Sequence, residues 1–139
     1  MIILDTNVVS ELLRPAPEPR VVDWLAAQDG ATVYLSAITE AELRLGVAIL
    51  PAGKRRTDLA EMIDQIIRED FAGRVLPFDS LAAEAFAAIA AARRAMGRPI
   101  AHADCQIAAI AQAVGATVAT RNTQDFANCG VKLINPWNH

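Results

Sequence analysis

Four acidic residues could act together, because each lies at the end of a predicted strand or near the start of a predicted helix. Asp5 closes the apolar run 1–4, which is typical of a strand buried on both faces. Glu42 and Asp104 lie in the first turns of two predicted helices, and Asp125 follows a later strand by five residues. In a parallel α/β sheet, ligands bind outside the carboxyl ends of the strands. The sequence therefore predicts a cluster of carboxylates at one edge of a sheet.

Such a cluster favours metal chemistry. Four crowded carboxylates repel one another and raise each other's pKa, so the arrangement makes sense mainly if it holds a hard divalent cation. Oxygen ligands alone point to Mg²⁺ or Mn²⁺. A metal of this kind can activate a water for attack on a phosphodiester and can neutralise the developing charge. The sequence does not say whether one or two ions bind.

The two helical acids are predicted to lie on apolar faces. A projection at 100° per residue gives two apolar stripes, made of Ile38, Leu45 and Ile49 around Glu42, and of Ile100, Ile107, Ala108 and Ala111 around Asp104. A buried carboxylate is costly unless a cation or hydrogen bonds compensate. A nearby arginine could supply that compensation, Asp5 could be a simple helix cap, and Asp125 could be a turn residue. Those alternatives stay open from the residues alone.

The elements that must position these acids alternate regularly. Apolar runs and turn residues predict strands over 1–4, 33–36, 75–78, 117–120 and 131–134, with helices over 6–14, 19–28, 38–49, 59–67, 80–94 and 100–114. Short connections between alternating strands and helices predict an α/β three-layer fold around a mainly parallel sheet flanked by helices. Residues 1–139 are expected to form a single domain.

Composition narrows the setting of the protein. No apolar run approaches the roughly 18 residues needed to span a bilayer, and the N-terminus lacks the pattern of a signal peptide, so a cytoplasmic protein without membrane contact is expected. A zinc site is not plausible, because the chain has only two histidines and two cysteines, which form no CxxC pattern. A metal must therefore be held by oxygen. The net charge of −3 neither supports nor excludes RNA, because bound cations would offset it.

Four motifs in order resemble a known family. They are Leu4-Asp5-Thr6-Asn7, Ser36 through Glu42-Leu43 with Gly46, Gly97-Arg98-Pro99-Ile100 followed by Asp104, and Thr120-Arg121-Asn122-Thr123 with Asp125-Phe126. Each motif is weak alone, but the set resembles PIN-domain ribonucleases, most closely the VapC/FitB-type toxins of type II toxin-antitoxin pairs. The resemblance covers essentially the whole chain, including the closing Asn135-Pro136-Trp137.

The resemblance implies both an activity and partners. It implies a PIN-like fold and an endoribonuclease dependent on Mg²⁺ or Mn²⁺, usually a homodimer, that is inhibited by a small VapB-like antitoxin. Transfer RNA is one candidate substrate by family. Asp5, Glu42 and Asp104 match the family's core acids. Some relatives carry the fourth acid where Asn122 stands and others rely on a later one, so either Asn122 or Asp125 completes the site.

The resemblance also implies supporting residues around the acids. Thr6 and Asn7 would hydrogen-bond the Asp5 carboxylate or the scissile phosphate. Thr120 would likewise form hydrogen bonds that orient the metal ligands. Arg98 and Arg121 flank the acidic edge and could hold phosphates.

Two other classes of protein remain as alternatives to a ribonuclease. A phosphoacceptor signalling domain also gathers acids and Mg²⁺ at strand ends, but the second strand ends at Ser36 rather than at an aspartate. A binding module of the same fold that has lost catalysis is disfavoured because Asp5, Glu42 and Asp104 are all present.

Overall fold

Strands and helices alternate along the chain, as the sequence predicts. The computed structural model describes residues 1–138. The strands in that range are β1 Ile2–Leu4, β2 Val33–Ser36, β3 Val75–Leu76, β4 Thr117–Ala119 and β5 Leu133–Ile134. The α-helices are α1 Thr6–Leu12, α2 Pro19–Ala26, α3 Ala37–Ala48, α4 Lys54–Gln65, α5 Ser80–Ala95 and α6 His102–Val114. A π-helical turn (Ile66–Asp70) and two short 3-10 helices (Gly30–Thr32 and Pro136–Asn138) complete the regular structure of these residues.

The sheet has the order β3-β2-β1-β4-β5, and each pair of neighbouring strands is parallel. β1 is central, with Ile3 beside Tyr34 of β2 and beside Val118 of β4. All the strands therefore end at the same edge, and Asp5, Ser36 and Thr120 stand side by side there. This edge is where a parallel sheet places its ligand-binding residues.

Hydrophobic cores lie on both faces of the sheet. Ile3 points into a cluster with α5, α6 and the buried Phe126, while the next residue, Leu4, points into a second cluster with α1 to α4. Consecutive residues of a strand face opposite sides of the sheet. A strand that is apolar at every position must therefore be covered by other elements on both faces. The predicted three-layer α/β fold is confirmed.

Local capping explains where the helices begin. Asp5 is the N-cap of α1, Ser36 caps α3 through the Thr39 backbone N–H, and Asp79 caps α5. α6 ends at Gly115, whose φ of 70° is the left-handed conformation that glycine adopts without strain. Since Asp5 and Ser36 are caps at strand ends, α1 and α3 both start at the acidic edge.

The predicted orientation of α3 is wrong. Leu45 and Ile49, which share the apolar stripe with Glu42, are 62% and 74% exposed, and Glu42 itself is exposed. The helix packs instead through Thr39 and Leu43, which are buried. The periodicity correctly indicated one apolar face, but residues 1–138 leave Leu45 and Ile49 on that face largely uncovered.

Smaller differences concern the ends of elements. α6 begins at His102 rather than at residue 100, α1 ends at Leu12, and β3 is only two residues long. Met62 of α4 is 44% exposed. Among the helices of residues 1–138, none is both long and apolar enough to cross a membrane.

Candidate active site

The Asp5 carboxylate is fixed at the start of α1 and is only 5% exposed. Its Oδ1 accepts a hydrogen bond from the Thr6 backbone N–H at 2.8 Å. Its Oδ2 accepts from the Thr120 hydroxyl at 2.8 Å and from the Asn7 side-chain amide at 3.0 Å. Burial raises the pKa of Asp5, and the hydrogen bonds from Thr120 and Thr6 oppose that rise. The structure thus places Thr6, Asn7 and Thr120 around Asp5, as predicted.

Glu42 reaches the same edge from α3. Its Oε1 accepts a hydrogen bond from the Thr6 hydroxyl at 2.6 Å, and that hydroxyl also lies 3.0 Å from the Thr39 hydroxyl. Thr6 therefore links the loop after β1 to two residues of α3. Although Glu42 does not face the core, its carboxylate points to the place that the sequence predicted.

Asp104 lies in the first turn of α6, partly exposed, with Ile107, Ala108 and Ala111 buried beneath the helix. Burial raises the pKa of Asp104 to about 6, helped by the negative charges of its neighbours, Asp5, Asp125 and Glu42. The positive charge of Arg93 opposes this rise. The carboxylates of Asp5, Glu42 and Asp125 are thus close enough to Asp104 to disfavour its ionised form.

These side chains line one open pocket of about 520 Å³, which we call the acidic cleft. The predicted site residues that line it are Asp5, Thr6, Asn7, Glu42, Asp104, Arg121 and Asn122. Thr120 lies buried behind it, where its Oγ1 accepts from the Asn122 backbone N–H at 3.0 Å. The acidic edge is therefore one continuous surface.

Two predicted residues stand apart from the cleft lining. Asp125 is exposed in the loop after β4, yet its charge contributes to the raised pKa of both Asp5 and Asp104. Arg98 is exposed and does not line the acidic cleft, so the structure offers no contact that supports a phosphate there. Arg121 does line it, with its guanidinium carbon 5.1 Å from the centroid of the Trp137 ring.

Sequence reasoning missed one buried acid in the cleft. Glu11 is buried and accepts hydrogen bonds from the Glu18 backbone N–H at 3.0 Å and from Arg14 at 3.2 Å. The Glu18 backbone N–H is the main reason that the pKa of Glu11 is lowered. Glu11 stands four residues after Asn7, so extending the helical face of Asn7 by one turn would have identified it.

A second surface adjoins the acidic cleft. A pocket of about 1030 Å³, which we call the apolar groove, runs between α1, α3 and α4. Its apolar lining includes Leu13, Leu43, Val47, Leu50, Met62 and Ile63. Thr6, Ser10, Arg14 and Glu42 line both the groove and the cleft. Any molecule that fills the groove therefore extends to the acidic side chains of the cleft.

The donor set of the cleft suits a hard divalent ion. All its acidic ligands are carboxylate oxygens, and Asp5 Oδ1 accepts a single hydrogen bond from residues 1–138, which leaves a lone pair for a cation. No group of three or more acidic, histidine or cysteine side chains in this range is placed to hold a metal ion as it stands. An ion would have to draw the carboxylates closer together, and its charge would relieve their mutual repulsion.

The raised pKa of Asp104 predicts that Asp104→Asn stabilises the metal-free protein. Asp104 has a pKa of about 6 in the folded chain against 3.8 ordinarily, so the native state loses stability as pH rises from near 4 through 6. The neutral amide removes this penalty at pH 7. Because solvent screens a partly exposed group, we expect a gain of about 1 kcal/mol, or roughly 2–4 °C in Tm.

Thermal unfolding in a chelating buffer at pH 7 and at pH 4 measures this effect. The difference between Asp104→Asn and the wild type should shrink at pH 4, where most of the penalty is absent. Asp23→Asn, an exposed acid on α2, is the matched control and should leave Tm unchanged. Equal melting of Asp104→Asn and the wild type at pH 7 would contradict the electrostatic account of the cleft.

The chain belongs to the PIN domain family, whose pattern residues 2–132 match. This confirms the family resemblance predicted from the four motifs.

Individual relatives agree along the full length of the chain. It is 52% identical over 137 residues to the toxin FitB of Neisseria gonorrhoeae, covering 99% of each chain. It is 49% identical to the VapC ribonuclease Y4jK of Sinorhizobium fredii, covering 99% of this chain and 98% of that one. The crystal structure of FitAcB from Neisseria gonorrhoeae superposes with a TM-score of 0.94 at 51% identity, covering 100% of both chains.

Proposed function

We propose that the chain, acting as a single PIN domain, is an endoribonuclease dependent on Mg²⁺ or Mn²⁺ and the toxin of a toxin-antitoxin pair. The observation that carries this proposal is the buried, triply hydrogen-bonded Asp5 in a cleft that it shares with Glu42 and Asp104. The similarity to a FitB toxin and to a VapC ribonuclease supports the same conclusion.

Asp5, Glu42 and Asp104 would hold the metal, with Asp125 as the fourth acid. Asn122 is the alternative to Asp125, since its side chain belongs to the cleft lining. A bound Mg²⁺ or Mn²⁺ would lower the pKa of a water and neutralise charge on the phosphodiester. The exposed side chain of Asp125 is near enough to influence the pKa of Asp104 and is itself ionisable, which favours it over a neutral amide.

The remaining residues of the cleft orient the acids and the substrate. Thr120 and Asn7 hold the Asp5 carboxylate in one rotamer, and the Thr6 hydroxyl does the same for Glu42. Arg121 presents a cation at the rim beside Trp137, where it would bind an RNA phosphate. The attacking water and the scissile phosphate would thus meet acids whose orientation is already fixed.

The apolar groove is the proposed site for a VapB-like antitoxin. Its lining is largely apolar, and on the adjoining face of α3 residues 1–138 leave Leu45 and Ile49 largely exposed. Because the groove and the acidic cleft share Thr6 and Glu42, an antitoxin segment seated in the groove would reach the acids and exclude RNA. The active form would be a homodimer, which light scattering of the purified chain can test.

Incubation of total RNA with the purified chain, free of antitoxin, tests the proposed activity. We expect discrete cuts with Mg²⁺ or Mn²⁺ and none after addition of a chelator. Mapping the cut ends identifies the RNA class, with transfer RNA as the first candidate. Intact RNA with either metal would overturn the proposal, and cleavage that persists in the chelator would overturn its metal dependence.

A further inference from the structure

Arg93 is a buried cation near the C-terminal end of α5. It is only 6% exposed. No acidic side chain of residues 1–138 lies within ion-pairing distance of it, whereas Arg14, Arg44 and Arg68 each pair with a carboxylate. Burying an unpaired charge is unfavourable unless hydrogen bonds replace its hydration. The contacts of its guanidinium group should therefore be strong.

Its hydrogen bonds go to backbone carbonyls of two loops. Arg93 Nε donates to the Arg98 carbonyl at 2.7 Å, in the loop between α5 and α6. Arg93 Nη1 donates to the carbonyls of Asp125 and Ala127, each at 2.9 Å, in the loop after β4. The same nitrogen lies 3.5 Å from the Cys129 sulfur. One side chain thus ties together two segments that are remote in sequence.

Each of these loops places an acid of the proposed metal site. The first leads into α6, whose first turn carries Asp104, and the second carries Asp125 itself. Between β4 and β5 the second loop forms turns and bends without a helix or a strand, so no ladder of hydrogen bonds fixes it. The buried Phe126 anchors the loop by its side chain. The Asp125 backbone N–H donates to the Asn122 carbonyl at 3.0 Å within the loop, and the Asp125 carbonyl accepts from Arg93, which joins this backbone to α5.

We propose that Arg93 is a positioning residue, which holds the Asp125 loop against the start of α6 so that Asp125 can act as the fourth acid. This inference rests on the proposed metal-dependent function. Of the two candidates for the fourth position, Asp125 is the one whose carbonyl accepts directly from Arg93.

A double-mutant cycle on Mn²⁺ affinity tests the role of Arg93. Lysine keeps the charge but cannot reproduce the three-carbonyl geometry of a guanidinium group. We expect Arg93→Lys and Asp125→Asn each to weaken Mn²⁺ binding by about 10–100-fold, the usual effect of losing a group that supports or completes a metal site. If Arg93 acts through Asp125, the double variant should be no weaker than Asp125→Asn alone.

Controls separate this role from a general effect on folding. Arg94→Gln removes a charge from the exposed neighbouring position of α5 and should leave Mn²⁺ affinity unchanged. Hydrogen exchange should rise at residues 125–129 in Arg93→Lys and should stay at the wild-type level in Arg94→Gln. These measurements follow the loop itself and do not depend on cleavage.

Two results would overturn the inference. One is additive losses of Mn²⁺ affinity in the cycle, which would mean that Arg93 acts independently of Asp125. The other is a normal Mn²⁺ affinity in Asp125→Asn, a variant of an exposed residue that should fold even if Arg93→Lys does not. Failure of the wild-type chain to bind Mn²⁺ or to cleave RNA would instead count against the proposed function.

Discussion

Asp5→Asn is expected to abolish RNA cleavage while leaving the fold intact. The substitution removes the charge of the most buried carboxylate of the cleft. Removing a group that merely supports a metal ligand lowers metal affinity or activity about 10–100-fold. Removing a proposed ligand itself should therefore lower the cleavage rate about 10³-fold or more. Asparagine caps helices as well as aspartate does, so α1 keeps its first turn. Expression of the variant should no longer arrest growth, whereas the wild type without its antitoxin should.

Cleavage rates and thermal unfolding, measured on the same preparations, separate catalysis from folding. We expect the Tm of Asp5→Asn to be no lower than that of the wild type in chelating buffer, because a neutral side chain avoids the burial penalty that raises the pKa of Asp5. Thr120→Ser keeps the hydroxyl and should remain active. Thr120→Val lacks the hydroxyl, and its cleavage rate should fall about 10–100-fold. Wild-type cleavage by Asp5→Asn would refute the assignment of this residue.

Gly46→Glu is expected to release the toxin from its antitoxin. Gly46 lines the apolar groove but not the acidic cleft, and a Cβ at this position meets no atom within 4 Å. The new side chain should therefore fit the fold, and glutamate also favours a helix over glycine. Its charge would enter the groove at the proposed antitoxin contact. We expect at least about a 30-fold loss of affinity, which corresponds to the roughly 2 kcal/mol of an interface hot spot.

Titration of the chain with a VapB-like antitoxin measures this loss directly. In cells, co-expression of that antitoxin should rescue growth from the wild-type toxin but not from Gly46→Glu. Gly30→Glu is the matched control, since Gly30 is exposed, lies outside the groove and also leaves a Cβ free of contacts. Unchanged antitoxin affinity in Gly46→Glu would place the antitoxin on another surface.

The sequence was sufficient to predict the layers of the fold. The apolar run before Asp5 has no polar alternation, which requires cover on both faces, and the structure has a core on each side of Ile3 and Leu4. The cap residues and the glycine at 115 located helix ends within a few residues. Strand burial and helix capping depend on residues that are neighbours in the chain, so a single sequence is enough to predict them.

Glu42 shows where periodicity alone is insufficient. A helical projection identifies which residues share a face, but it cannot say whether that face meets the core, solvent or another molecule. Apolar stripes usually lie against the core, which predicts that Leu45 and Ile49 are buried, but both are exposed. The place of Glu42 at the acidic edge was nevertheless correct, because it depends on the start of α3 and not on the packing of its face.

Arg93 could not have been identified from its sequence context. It lies in an Ala-rich and Arg-containing helix end that is typical of a solvated surface. Two of its three carbonyl partners lie 32 and 34 residues away, and no residue type marks a carbonyl acceptor. Contacts of this kind depend on the path of loops in space, which no local pattern encodes.

The exposed stripe of α3 has a consequence for the fate of the toxin in the cell. If the antitoxin occupies the apolar groove as proposed, its loss would uncover Leu45, Ile49 and the groove at the same moment that it uncovers the acids. Uncovered apolar surface of this kind promotes aggregation and capture by chaperones and proteases. We expect the liberated chain to be cleared faster than the complex. Aggregation and clearance would then limit the amount of active toxin, in addition to inhibition by newly made antitoxin.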